Sequence, residues 1–331
     1  MKKIRPSFAL FLLLVLGQQT LFAQKRIWFD TDLMIGLPER APREVDDAIT
    51  LMMALQHPDK VQLAGISIIT YADYGYDVAQ KMLKWYYKGT QPIPVYKGSD
   101  KANDLGVEND ATRALAAALK KEKLTILAIG PLTNLGTVLK NHPELATQIE
   151  EVVVCAGRTA GYSFKPGLEK LIVSDYNFEK DVESFRTVLD AGVKMVMSGF
   201  ECSVYLFLGK TDYDFLQKGS EGDQWIYSKL RPWSERGKQL FGIDGFIPFD
   251  ATPLGHITHP QYFKYYRNIP AQINVKLNDA TTVTVKSNKA FLDVSNDFEK
   301  TSKWRVDYAY KTLPGFEEIL IEALKGEALK K

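Results

Sequence analysis

The sequence predicts an α/β protein, with a mostly parallel sheet covered by helices and a β-hairpin appended near the C-terminal end. Three observations predict it. Short apolar runs alternate with helical segments from residue 27 to residue 198, the pattern of right-handed βαβ units. Those runs are continuously apolar, as strands are when helices cover both faces of a sheet. The chain of 331 residues is 45% hydrophobic and 25% charged, which excludes disordered, collagen-like and coiled-coil classes and suffices for a large core.

Residues 27–30 form a short apolar run that ends in acid. Residues 46–55 carry Ala48, Ile49, Leu51, Met52, Met53 and Leu55 on nearly every side, which suits a helix buried against a sheet. The β-branched stretch 61–70 reads as a strand and 76–87 as a helix. Strands follow at 93–96, 124–130, 152–155 and 193–198, and helices at 111–121, 132–140 and 182–191. The pattern changes after residue 200. Residues 211–242 are helical and mixed, with Trp225, Tyr227 and Trp233. Residues 273–277 and 282–285 flank Asn278-Asp279 as an apparent hairpin, 304–310 is a further strand, and 316–324 a closing helix. No linker, repeat or low-complexity tract interrupts this, so 24–331 reads as one α/β domain.

Residues 1–23 read as an address. Lys2, Lys3 and Arg5 precede an unbroken apolar run at 8–16, and Ala23 supplies a small residue before Gln24. That is the pattern of a secretory signal peptide. The run is short for a membrane span, which needs about 20 apolar residues. The expectation is export to a bacterial periplasm or the extracellular space, with no membrane attachment after cleavage. A net charge of +2 provides no basic field for nucleic acid. The two cysteines, Cys155 and Cys202, exclude a disulfide scaffold and a Cys-based zinc module. Each comes after an apolar run. Two buried free thiols are expected, although an exported chain permits a pair.

In open α/β sheets, ligands sit outside the carboxyl ends of the strands. The segments just beyond the strands are rich in acids and amides: Asp30-Thr31-Asp32, Asp46-Asp47, Gly130-Pro131-Leu132-Thr133-Asn134, Ser174-Asp175-Tyr176-Asn177 and Asp250. Singly, Asp46, Asp250, Thr133 and Asn134 read as helix caps. Together, several acids at one sheet end repel unless a cation neutralises them, and oxygen ligands without His or Cys select Ca²⁺ or Mg²⁺.

This series, in this order, resembles the inosine-uridine preferring nucleoside hydrolases over about residues 26–325. The resemblance implies a doubly wound, mostly parallel sheet, one bound Ca²⁺, and cleavage of the N-glycosidic bond of ribonucleosides or related ribosides. Carried onto this chain, it makes Asp32, Asp47 and Asp250 the side-chain metal ligands, with the backbone carbonyl of Ile129 a fourth. Asp46 becomes the general base for a metal-bound water. Asp175 and Asn177 hold the ribose hydroxyls, as do Asp46 and Asp250. A small-molecule riboside is the implied partner; a homo-oligomer stays open. These residue types suit the chemistry. Carboxylates stabilise an oxocarbenium-like sugar, calcium acidifies and orients water, and a neighbouring carboxylate takes the proton.

The chain also departs from the family pattern. Three residues usually separate the first motif from the Asp pair; here residues 33–45 supply a longer loop, expected to project over the pocket. Phe249 stands where family members often carry a His that protonates the leaving base, and His256 and His259 lie off the motif. Tyr227 is a candidate substitute. Asp73 stands near the position of an expected amide, and Cys155-Ala156-Gly157 replaces a Gly-Gly. Without an acid, activated leaving groups such as p-nitrophenol or a cationic base should depart faster than those of inosine or uridine. Two other readings compete. One is a periplasmic nucleoside or sugar receptor that keeps the metal and has lost turnover. The other is a phosphatase of the haloacid dehalogenase type, for which Met34 and the early acid pair fit poorly.

Overall fold

The apolar runs become the strands of one sheet. The computed structural model describes residues 24–38, 42–101, 104–162, 175–242, 244–277 and 288–326. In chain order the strands are β1 (Lys25–Thr31), β2 (Val61–Ile68), β3 (Val95–Lys97), β4 (Leu124–Ala128), β5 (Ile149–Cys155), β6 (Arg158–Thr159), β7 (Met195–Ser198), β8 (Leu208–Gly209), β9 (Gly245–Phe246), β10 (Phe263–Leu277), β11 (Asn288–Val294) and β12 (Trp304–Thr312). Ten of them form a sheet in the order β3-β2-β1-β4-β5-β7-β12-β10-β11-β6, while β8 and β9 pair separately. From β3 to β12 every pairing is parallel. The chain runs outward from β1 to β3 and returns on the other side of β1 as β4. The order therefore reverses between β1 and β4, where such sheets open a crevice at their carboxyl edge.

The helices are α1 (Asp46–Gln56), α2 (Ala72–Tyr86), α3 (Asp110–Leu119), α4 (Thr133–Asn141), α5 (Tyr176–Lys180), α6 (Val182–Asp190), α7 (Phe200–Ser203), α8 (Lys210–Tyr213), α9 (Glu221–Phe241), α10 (Ala251–Thr258) and α11 (Phe316–Leu324). The alternation of β1 divides the core in two. Ile27 and Phe29 join one cluster with α1, α2, α10 and α11. Trp28 joins the other with α3, α4 and α6. Helices thus cover both faces, as doubly wound sheets require. Every residue of α1 is buried, which explains why its apolar side chains show no preferred face in the sequence. Each fully buried Leu, Ile or Met there contributes about 1.5–3 kcal/mol.

The structure refines three expectations. β2 stops at Ile68 and α2 starts at Ala72, because Thr70 and Tyr71 take φ of 60° and 51°; left-handed residues end a strand. Residues 211–242 divide into α8, a 3-10 turn and α9, which ends at Gly242 with φ 72°. The hairpin is integrated rather than appended. Residues 273–277 are the end of β10, which lies between β12 and β11 as an antiparallel extension of the main sheet, with Leu277 opposite Asn288. The stretch 282–285 lies outside the described residues, as does 1–23.

Candidate active site

The residues after β1 split into a structural pair and a cavity-facing acid. Asp30 is buried under the sheet edge. Ser67 Oγ donates to its Oδ1, Asn134 Nδ2 donates to the same oxygen at 2.9 Å, and Asn134 Oδ1 accepts from Ser99 N at 2.9 Å. Asp30 and Asn134 therefore latch β1 to β2, α4 and the loop after β3. Burial raises the Asp30 carboxyl to about 6. Thr31 Oγ1 donates to Asp47 and ties β1 to the start of α1. Thr133 likewise does no capping; its hydroxyl donates to Asp181 Oδ2 at 2.5 Å.

Asp32 lines a cavity of about 330 Å³ at the carboxyl edge, together with Asp46, Asp47, Ile129 and Asp250. Carboxylate oxygens of Asp46, Asp47 and Asp250 all lie within 4.8 Å of one another, and all three residues are buried. Val45, not Asp46, is the N-cap of α1, so Asp46 and Asp47 occupy its first turn, where the helix dipole favours negative charge. Asp250 takes the N-cap position of α10 but makes no capping bond. Among the described residues, no Lys, Arg or His pairs with any of these four acids. Burial first, and then the neighbouring carboxylates, push Asp32, Asp46 and Asp250 well above the usual carboxylate range. Burial lifts Asp47 to about 7, against the Thr31 hydrogen bond. Uncompensated buried acids in an all-oxygen set fit a hard divalent cation. Gly130 makes the approach of β4 to β1 feasible: a Cβ there would stand 3.0 Å from Asp32 N and Oδ1.

Asp175 and Asn177 reach the same cavity. Asp175 Oδ2 accepts from Gly157 N at 2.7 Å, and burial raises its carboxyl to about 6. Asn177 Nδ2 donates to the carbonyls of Ile129 at 2.9 Å and Cys155 at 3.1 Å. The Ile129 carbonyl thus already holds one amide partner. Burial first, and then the neighbouring Asp250, Asp46 and Asp175 carboxylates, push the Cys155 thiol well above its usual range. Both cysteines are free, and Cys202 is buried against Thr312 at 3.4 Å.

Other expectations change. None of the four histidines lines the cavity. His256 Nδ1 meets Tyr265 Oη at 2.7 Å, and His259 packs on His57 with ring centroids 5.0 Å apart. Phe249 does line it, edge-on to Phe200 at 5.8 Å. Tyr227 lies elsewhere, donating to Asp214 at 3.2 Å. Asp73 is exposed and paired with Lys97 at 2.5 Å. Loop 33–45 is partly described, and residues 39–41 lie outside the described residues. Leu33, Ile35 and Val45 are buried in the core because they are apolar, and the loop delivers Glu44 to the cavity. Burial raises the Glu44 carboxyl. The sequence reading missed Glu44, Tyr176, Phe207, Trp233 and Arg236 as lining residues. Tyr176 stood inside the Asp175-Tyr176-Asn177 motif and Trp233 in the aromatic stretch 211–242, but nothing local aimed Glu44, Phe207 or Arg236 at the cavity.

A sequence profile described as "Inosine-uridine preferring nucleoside hydrolase" matches residues 27–311. The pyrimidine-specific ribonucleoside hydrolase RihB of Escherichia coli is 22% identical over 247 residues, covering 66% of this chain and 77% of that protein. The purine-preferring ribonucleoside hydrolase from Gardnerella vaginalis superposes with a TM-score of 0.70 at 15% identity, over 93% of this chain and 100% of that one. A plant nucleoside hydrolase gives 0.69 at 17% identity, over 93% and 99%. These likenesses share the doubly wound sheet, and the profile overlaps every strand and includes all the acids that meet in the cavity. A phosphatase of the haloacid dehalogenase type is thereby set aside. The chain belongs to the inosine-uridine preferring nucleoside hydrolases, enzymes that hydrolyse the N-glycosidic bond of ribonucleosides.

Proposed function

We propose that the chain is an exported, calcium-dependent hydrolase of ribonucleosides or related ribosides. The observation that carries this is the buried triad of Asp46, Asp47 and Asp250, which pairs with no cationic side chain among the described residues, at a cavity of nucleoside size. Asp32, Asp47 and Asp250 hold the ion in this reading, with the Ile129 carbonyl. Calcium, when bound, gathers the ribose diol and the attacking water and lowers the water's pKa. Asp175 and Asn177 orient the ribose hydroxyls. The C1′–N bond breaks with its electron pair leaving on the base. The carboxylates stabilise the positive charge on the sugar. Water oxygen bonds to C1′, and its proton passes to Asp46. No covalent sugar–enzyme adduct forms.

The relatives' names differ in base preference, pyrimidine for one and purine for another. Base preference in this chain therefore rests on its own cavity wall. Asp46→Asn tests the assignment: Asn cannot take the water proton. Calorimetry should show one Ca²⁺ still bound, with kcat lowered about 10²–10⁴-fold. Wild-type turnover in that variant would remove Asp46 from the mechanism.

A further inference from the structure

We propose that Arg236 stabilises the departing aglycone as an anion, by charge and hydrogen bonding, in a cavity where Phe249 stands in place of a protonating histidine. This rests on the hydrolase reading and names the aglycone class it favours. The acidic floor takes the sugar, so the aglycone lies against the rest of the lining. There Phe207, Trp233, Phe246 and Phe249 form apolar walls, beside the Tyr176 phenol and the Glu44 carboxyl. Arg236 is the one cationic side chain among the described lining residues. It is half-buried, and among the described residues it enters no ion pair. Its charge is felt by Glu44, brought in by loop 33–45.

The same loop supports the helix that carries Arg236. Gly36, at φ +71°, lets the chain turn against Lys229, one turn before Trp233; a Cβ there would meet the Lys229 side chain at 2.9 Å. Loop and α9 thus both contribute to the cavity lining, Glu44 from one and Arg236 from the other.

Chemistry assigns the role. When the C1′–N bond breaks without a proton donor, the heterocycle carries the electron pair away. A guanidinium stays protonated at working pH and offers a planar fork of donors, so it stabilises an anion rather than protonating it. The proton that neutralises the base comes from solvent after departure. Trp233 provides a ring three residues away for stacking. The site therefore favours heterocycles that leave as anions, such as keto-pyrimidines and keto-purines. A pyridinium riboside, whose base leaves neutral, gains nothing from Arg236.

The test measures kcat/KM with saturating Ca²⁺ for uridine, a nitrophenyl riboside series of graded leaving-group pKa, and N-ribosylpyridinium. The proteins are wild type, Arg236→Met and Tyr176→Phe, with p-nitrophenolate binding followed by calorimetry. Arg236→Met should slow uridine about 10²–10³-fold. The loss should shrink steadily as leaving-group pKa falls and vanish for N-ribosylpyridinium. It should weaken p-nitrophenolate binding about tenfold or more. A loss equal for all substrates, no loss, or a larger loss in Tyr176→Phe overturns the proposal. A wild type that cleaves no riboside would overturn the hydrolase reading instead; the p-nitrophenolate arm then still decides the anion site, and unchanged binding in Arg236→Met would refute it.

Discussion

Asp30 and Asp32 stand two apart at one strand end, yet one latches the sheet and the other lines the cavity. That division was not legible in the sequence, because it depends on Ser67 and Asn134 arriving from β2 and α4. The acids of the cavity were legible, because a repelling cluster at strand ends has few uses besides holding a cation. Glu44 and Arg236 were not, because tertiary packing alone brings loop 33–45 and α9 to the same wall. Removing one carboxylate takes away both a ligand and a charge that holds the cation. Asp47→Ala should therefore abolish stoichiometric calcium binding in calorimetry while the far-UV circular dichroism spectrum is kept; tight binding in that variant would refute the assignment. The raised acids also make calcium's effect depend on pH. Without metal, Asp47 titrates at about 7 in the folded protein, against about 3.9 in an unfolded chain. Between these values the native state keeps a proton the unfolded state has lost. Its contribution to stability is whole below about pH 4 and falls as pH rises through 7. Calcium binds the ionised carboxylates and offsets that loss. The rise in Tm on adding saturating calcium should grow between about pH 5 and about pH 7.5 in scanning calorimetry. A rise that is constant across this window would contradict the account.

At the scale of elements, the helix and strand order followed from apolar periodicity, and the boundaries that moved did so for backbone reasons. Thr70 and Tyr71 look like strand residues by side-chain type, but their positive φ ends β2 and lets α2 begin at Ala72. Gly130 shows the opposite case, a residue that reads as part of a turn yet is required by close approach. A methyl group there would press on Asp32 N and Oδ1 at 3.0 Å and on Ile69 Cγ2 at 2.8 Å. Because the neighbours are backbone and a candidate metal ligand, neither yields freely. Gly130→Ala should cost about 1–3 kcal/mol of stability and weaken calcium binding at least about tenfold. A variant with wild-type Tm and wild-type calcium affinity would show that β1 and β4 are not held at this spacing.

At the scale of the molecule, the parallel half of the sheet was foreseeable from βαβ alternation, and its switch point between β1 and β4 places the cavity. The antiparallel half was foreseeable only as a hairpin, since nothing local says that β10, β11 and β12 continue the same sheet beyond β7. If residues 1–23 act as the address expected from their sequence, intact mass of the exported protein should place the mature terminus at or near Gln24; a retained Met1 that partitions with membranes would contradict this. The central claim is that the acidic floor binds calcium in order to cleave ribosides, not merely to hold them. It is tested most directly by measuring ribose released from a panel of ribonucleosides by the mature protein, with calcium and again after chelation. The account predicts reducing sugar from at least one nucleoside, lost on chelation and restored by added calcium. Stoichiometric calcium and nucleoside binding with no sugar released would contradict it and identify a receptor instead.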